Sequence, residues 1–122
     1  MAVLTQTLSL TSSLKLTRDT DSDATSESNI NSGAATLYLI QIDNSANASQ
    51  KVFWKAYNNT APTVGTTAPD LVIPVAGGAT VRCAIAAGIV FGTGLSFATV
   101  LAGGTANTSS PTNDVAVALV YA

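Results

Sequence analysis

Residues 115–121 read Val-Ala-Val-Ala-Leu-Val-Tyr, and this stretch decides the fold. The larger side chains occupy the odd positions: Val115, Val117, Leu119 and Tyr121. Successive side chains of a β-strand point to opposite faces of the sheet, so this alternation predicts a strand with its odd face in a core. Because Ala116, Ala118 and Val120 are apolar too, we expect an extended and mostly buried strand.

A second alternation lies near the N-terminus. Apolar side chains recur at even positions: Leu4, Leu8, Leu10, Leu14 and Leu16. The polar stretch Thr11–Ser13 interrupts the pattern without changing its parity. The sequence therefore predicts one sheet face in this region, with the leucines turned toward a core.

Further short segments are rich in β-branched and aromatic residues and bounded by turn residues, which is typical of strands. They are Thr36–Asp43, Gln50–Asn58, Asp70–Val75, Ala79–Ala86, Gly88–Phe91 and Leu95–Ala102. Gly77 and Gly78 offer the positive φ angles of a hairpin turn. Since no window shows a convincing helical period, we predict an all-β chain. The expected architecture is a single β-sandwich or jelly roll of about eight or nine antiparallel strands, one domain over residues 1–122.

One segment breaks this pattern. Residues Arg18–Ala35 are polar, acidic and almost without apolar side chains. A loop this long inside a small domain is typically functional or mobile. We predict an exposed acidic loop or arm over residues 18–35 that becomes ordered on contact with a neighbour.

Composition argues against several classes of function. The chain has no histidine, one cysteine, five basic and seven acidic residues, giving a net charge of −2. The basic residues are scattered, whereas nucleic-acid binding uses clustered Lys and Arg, so we expect no nucleic-acid partner. The longest nearly apolar run, Cys83–Gly92, is too short to cross a bilayer, so we expect no membrane partner. The first residues lack the pattern of a signal peptide, which indicates synthesis in the cytoplasm.

The shortage of reactive side chains also argues against catalysis. Histidine is the commonest general base and metal ligand, and a Ser-His-Asp triad needs it. Glycoside hydrolysis needs only two carboxyl groups, so a pair drawn from Asp43, Asp70 and Asp114 is the enzymatic alternative. We predict no enzyme activity, no catalytic residue and no cofactor.

Asp19, Asp21 and Asp23 have the spacing that opens a calcium-binding loop. The EF-hand pattern then requires glycine at its sixth position and glutamate at its twelfth. Ala24 and Ile30 occupy those positions, so the motif fails. A looser calcium site remains an alternative, but a solvated acidic loop is the favoured interpretation, and we predict no metal site.

Two other features have alternative interpretations. Trp54, Tyr38 and Tyr57 are the first candidates for an aromatic platform that binds sugars. Phe53 and Trp54 fall on opposite faces of their strand, so we expect one to pack in the core. Cys83 is interpreted as a small buried core residue, while an inter-chain disulfide stays open.

Several stretches, in order, resemble small β-sandwich virion proteins of tailed bacteriophages. They are LIQIDNSAN (39–47), VFWKAY (52–57), APTVGTTAP (61–69), LVIPV (71–75), FGTGLS (91–96) and NDVAV (113–117). The resemblance covers about residues 37 to 122 and transfers no functional residues, since such proteins act through whole surfaces. It includes capsid cement (decoration) proteins and neck, tail or fibre components.

The resemblance implies a non-enzymatic structural protein located in the virion. The first expectation is a cement protein that stabilises adjacent capsomers, forms homo-oligomers and contacts the major capsid protein or other virion proteins. Many weak contacts repeated over a symmetric shell add up through multivalency, and a free strand edge at either terminus is suited to pairing with a neighbouring subunit. The alternative is a tail-fibre or baseplate module that recognises host-surface glycans.

Overall fold

A computed structural model describes residues 14–122, which form an all-β chain with seven strands in two antiparallel sheets. The strands are β1 (Lys15–Ser22), β2 (Ala35–Asp43), β3 (Val52–Asn58), β4 (Leu71–Val75), β5 (Thr80–Phe91), β6 (Leu95–Val100) and β7 (Val115–Tyr121). The predicted β-sandwich is confirmed. Residues 14–122 include no helix with the length and hydropathy needed to cross a membrane.

Sheet A contains four strands in the order β1-β7-β2-β5, and sheet B contains three in the order β4-β3-β6. All neighbouring strands are antiparallel. The apolar core lies between the sheets, where the odd side chains of β7 are buried as predicted. Trp54 of β3 is fully buried, and its ring centroid lies 5.9 Å from that of Phe97 on β6.

The predicted number of strands is too high for this part of the chain. Ala79–Ala86 and Gly88–Phe91 are one strand, β5, because its pairing with β2 continues across an irregularity opposite Leu37–Leu39. Gly78 has the predicted positive φ of 77°. The turn is not a hairpin within one sheet, however, because it carries the chain from β4 in sheet B to β5 in sheet A. The predicted strand around Leu4–Leu10 lies outside the described residues.

The predicted acidic loop Arg18–Ala35 is wrong at its N-terminal end, since residues 18–22 belong to β1. The chain then crosses to sheet B and runs along the free edge of β6. Glu27 and Phe97 exchange two backbone hydrogen bonds of 2.9 and 3.0 Å, and the Ile30 amide donates to the Leu95 carbonyl at 3.0 Å. Backbone pairing, which side-chain polarity does not reveal, therefore holds residues 23–30 against their own domain.

A buried asparagine cluster fixes one end of the sandwich. Asn44 and Asn47 are buried, and the Asn47 amide nitrogen donates to the Asn44 side-chain oxygen at 2.9 Å. Asn44 also donates to the carbonyls of Gln50 and Ala76, at 2.8 and 3.1 Å. The Asn47 side chain donates to the Asn113 carbonyl at 3.0 Å and accepts from the Asn113 amide at 2.8 Å. The cluster ties the β2–β3 loop to the β4–β5 turn and to the approach to β7.

We predict that Asn47→Ala lowers the free energy of unfolding by about 2–3 kcal/mol, because it leaves several buried polar groups without partners. Asn113→Ala is the matched control: its exposed side chain donates only to the Ala46 carbonyl, at 3.0 Å, so we expect a loss of about 1 kcal/mol or less. Chemical denaturation at neutral pH measures both. Equal losses in the two variants would contradict the structural role of the cluster.

Candidate docking surface on sheet A

Sheet A has a second face, directed away from sheet B, which we call the outer face. It is formed by those side chains of sheet A that do not enter the core. A row of directly paired residues crosses all four strands of this face: Leu16, Val120, Leu39 and Ala84. The neighbouring row is Arg18, Ala118, Gln41 and Arg82. The outer face is thus apolar along one complete row and lightly charged beside it.

Large apolar side chains are exposed on this face. Leu16 is 55% exposed, Leu14 36% and Val90 71%. Single exposed apolar residues are ordinary on protein surfaces, whereas a contiguous set marks an interaction site. Leu16, Val120 and Leu39 form such a contiguous set, because they are directly paired across three strands and Val120 and Leu39 are only half-buried.

The expectation that Leu14 and Leu16 turn toward a core is wrong in the single chain. The side chains of β1 that point inward are polar. They lie at the margin of the sheet, where they find hydrogen-bond partners. Thr17 Oγ1 and the Tyr121 hydroxyl share a hydrogen bond of 2.8 Å. Lys15 Nζ donates to Asn31 Oδ1 at 2.6 Å. Leu16 of β1 is therefore left on the outer face.

Tyr38 belongs to the same surface. The irregularity between β2 and β5 brings its ring over Gly88, whose φ is +76°. A Cβ atom at Gly88 would lie 2.9 Å from Tyr38 Cε1, so only glycine permits this approach. Tyr38 is half-buried as a result and adds to the apolar area near Val90.

Charge on the outer face is sparse. Among residues 14–122, the charged side chains that we assign to this face are Arg18 on β1, Asp43 on β2 and Arg82 on β5. A shallow depression of about 150 Å³ lies at one end of the face, lined by residues that include Arg18, Gln41 and Asp43. Hydrogen bonding to the Ser45 side chain holds the pKa of the Asp43 carboxyl below its usual value. The Ser45 amide at 2.9 Å and the Thr80 hydroxyl at 3.1 Å donate to the same carboxylate and act in the same direction.

The opposite side of the molecule is different, because loops cover the outer face of sheet B. Lys55 is fully buried there, and its Nζ donates to the Gly104 carbonyl at 2.6 Å. Burial lowers the pKa of this amine. Ser96 is also buried, accepting from the Asn29 amide at 2.8 Å and donating to the Asn59 carbonyl at 2.6 Å. Sheet A therefore offers the open apolar face and sheet B does not.

The aromatic residues considered for sugar binding do not form a shared platform. Trp54 and Tyr57 are buried, so the expectation that one of Phe53 and Trp54 packs in the core is confirmed. Phe53 is half-buried, with Lys51 Nζ 5.2 Å from its ring centroid. Tyr38 is accessible in part, but it belongs to the outer face of sheet A.

The aspartates of the enzymatic alternative are distributed between the ends of the sandwich. Asp43 ends β2 and Asp114 precedes β7 at the same end. Asp70 lies at the other end of β3, where its carboxylate accepts the Asn58 amide at 2.6 Å. Asp43 and Asp70 are both used to hold backbone amides, which accounts for their positions at strand ends.

The residues with calcium-loop spacing are also used locally. Asp19 accepts the Asp21 amide at 3.2 Å, and Asp23 accepts the Thr25 amide at 2.8 Å. Within residues 14–122, no group of three or more His, Cys, Asp or Glu side chains is placed to hold a metal ion. Cys83, interpreted as a core residue, is only half-buried, although it packs against the core from β5.

Comparisons with known proteins show no family. No family model matches the chain, and no curated protein matches it. One similar solved structure is titled "Structure of infectious bursal disease virus Gx strain", with 14% identity and a TM-score of 0.32. The alignment covers 89% of this chain and 32% of that chain, so this chain spans about a third of the other's length.

Asp19 lies on the inward side of β1, and burial raises the pKa of its carboxyl from 3.8 to about 6, with smaller contributions from Asp21 and Glu27. A raised pKa means that the folded chain holds this proton more tightly than the unfolded chain. The stabilisation is thus fully present below about pH 4 and is lost as the pH rises through about 6.

We predict that Asp19→Asn raises the free energy of unfolding at pH 7 by about 1 kcal/mol, a value reduced because the side chain is half-exposed. It should also flatten the dependence of stability on pH between 4 and 6. Asp114→Asn, at an exposed position just before β7 that does not contribute to the Asp19 pKa, is the control. Denaturation at several pH values measures both variants, and identical pH profiles for them would rule out this assignment.

Proposed function

We propose that this chain is a non-enzymatic structural protein of a tailed-phage virion, and that it acts as a capsid cement protein. The observation that carries the proposal is the outer face of sheet A. Its row Leu16, Val120, Leu39 and Ala84 crosses the whole sheet without a charged side chain. A surface of this kind is suited to burial against another protein.

The rest of the chain is consistent with a surface function. The polar groups that are buried hold loops and strand ends, as Asn44, Asn47 and Lys55 do. The resemblance of residues 37–122 to small virion proteins supports the same proposal. The glycan-binding alternative is less well supported, because Trp54 and Tyr57 are buried.

The proposed partners are the major capsid protein, or another protein of the virion, and further copies of this chain. A cement protein is repeated over a symmetric shell, so each contact can be weak while the whole array is stable. The low charge of the outer face favours close packing, since few ions must be removed from water on contact.

We predict that Ala84→Glu reduces binding to shells that lack this protein by roughly tenfold or more per site, because an unpaired carboxylate is desolvated at the interface. Ala84 is exposed, so the variant should keep its thermal stability. Thr66→Glu, at an exposed position in the β3–β4 loop, adds the same charge away from the outer face. Co-sedimentation with purified shells measures binding.

Equal binding of the two variants would exclude the outer face as the docking surface. Quantitative mass spectrometry of intact particles tests the function itself. We expect a copy number comparable to that of the capsomers, whereas a few copies per particle, or a location in the tail, would reject the cement function.

A further inference from the structure

The two long margins of the sandwich are closed in different ways. At one margin residues 23–30 cross from β1 to the edge of β6, and the buried hydroxyls of Ser22 and Thr99 bond each other at 2.8 Å. At the other margin lie β4 and β5, the end strands of sheets B and A. The chain closes this second margin at one end, through the turn 76–79 that links β4 to β5.

The core is incompletely covered at the second margin, which we call the open margin. It is lined by five apolar side chains: Leu71 and Ile73 of β4, and Val81, Cys83 and Ile85 of β5. All five pack against the core but are only half-buried. The apolar side chains that the central strands β2, β3 and β7 direct into the core are buried, by contrast. Apolar area therefore remains that another strand beside β5 would cover.

Of the two strand edges at the open margin, only that of β5 is suited to pairing. β4 contains Pro74, and proline is one of the devices that protect sheet edges. Within residues 14–122, β5 pairs with β2 alone, so one side of its backbone has no strand beside it. Over Thr80–Ile85 it has no proline and no inward charge, and its one charged side chain, Arg82, is exposed.

The other end strand of sheet A, β1, presents a different surface. Its inward side chains are polar, and Lys15 and Thr17 already bond Asn31 and Tyr121. A strand added beside β1 would cover no apolar side chain of this kind. The combination of a strand edge with half-buried apolar side chains is thus a property of β5.

The β5 edge is complementary to itself in one register. Directly facing residues of an antiparallel pair direct their side chains to the same face of the sheet. With Cys83 at the centre, Val81 of each copy faces Ile85 of the other, so each half-buried side chain of β5 in this segment meets another of the set. Centring on Arg82 would place two arginines face to face. Centring one residue beyond Cys83 would leave Val81 opposite an exposed alanine.

We propose that two copies of this chain pair antiparallel along β5, with Cys83 at the two-fold axis. The two four-stranded sheets become one continuous sheet, and the half-buried side chains of both copies are covered. Arg82 of each copy faces Ala84 of the other, so no like charges are directly opposed. The pairing is symmetric and closes as a dimer.

The dimer leaves the outer face of both copies open to a shell. The inference deepens the homo-oligomeric part of the proposed function and rests on it for its biological role. The pairing itself needs no shell, because every residue in it belongs to β5. The two proposals can therefore fail separately.

The single cysteine of the chain allows the register to be tested in the wild-type protein. Facing residues of an antiparallel pair have Cα atoms about 4.5–5.5 Å apart, within the range of a disulfide. We expect mild oxidation with copper phenanthroline to give a covalent dimer on a non-reducing gel. Light scattering under reducing conditions should give twice the mass of the chain.

The matched control moves the cysteine along the same edge, by combining Cys83→Ala with Val81→Cys. The two thiols would then be offset by roughly 13 Å along the strands, so we expect about tenfold less covalent dimer. Adding Ile85→Cys to this control creates facing cysteines and should restore the cross-link. Equal yields from the wild type and the Val81→Cys control would refute the register, since random collision would explain both.

A charged variant tests the dimer without a cross-link. Cys83→Lys places an inward-pointing charge at the axis, a device that keeps natural edges unpaired. We expect dimerisation to weaken by roughly tenfold or more, with an unchanged far-ultraviolet circular dichroism spectrum as the check of folding. A monomeric wild-type mass under reducing conditions would overturn the dimer. If Cys83 of such a monomer were protected from alkylation only on shells, the β5 edge would belong to a capsid protein instead.

Ala84→Glu separates this inference from the cement function. It should weaken binding to shells but keep the dimer, because the new carboxylate faces Arg82 of the other copy. Shell binding by a chain that fails the dimer tests would leave the cement proposal standing. A dimer that ignores shells would support the β5 interface and reject the cement function.

Discussion

Sheet A carries a set of apolar side chains on each of its faces, and sheet B covers only one of these faces. This imbalance follows from β7, whose odd side chains fill the core while Ala116, Ala118 and Val120 lie on the opposite side. A four-stranded sheet over a three-stranded one leaves no element of residues 14–122 to cover the second face. Burial of apolar area is the main favourable term in folding and in association. The part that folding leaves unburied is available for contact with another protein.

The polar side chains complete this arrangement by holding the loops. Asn44 and Asn47 fix one end of the sandwich, and Lys55 holds the loop that covers sheet B through the Gly104 carbonyl. A buried amine with one carbonyl partner is costly, and its lowered pKa reflects that cost. One orphan remains among the described residues: Trp54 Nε1 is buried without a hydrogen-bond acceptor. Asn44, Asn47 and Lys55 thus hold the loops that shape the surface of the sandwich.

Much of the fold could be predicted from the sequence because strand periodicity is local. The alternation of Val115–Tyr121 and the turn residues that bound the other segments predicted the class, and most predicted strands lie within a few residues of those observed. Features that depend on long-range pairing could not be predicted. The merger of two segments into β5, the pairing of residues 23–30 with β6, and the exposure of Leu16 all depend on which strands become neighbours. The local sequence carried one signal of the docking surface: β7 carries apolar side chains at its odd and at its even positions, so both faces of this strand are apolar.

The two sheets are also joined by a directional bond inside the core. The hydroxyls of Ser22 on β1 and Thr99 on β6 are buried 2.8 Å apart, and the Thr99 amide donates to the Asp23 carbonyl at 2.8 Å. Dispersion contacts between apolar layers change little when one layer slides by a fraction of an ångström, whereas a hydrogen bond weakens steeply with misalignment. The bond between Ser22 and Thr99 therefore opposes sliding of sheet A over sheet B, and it offers a route by which a shear load on sheet A is passed to sheet B.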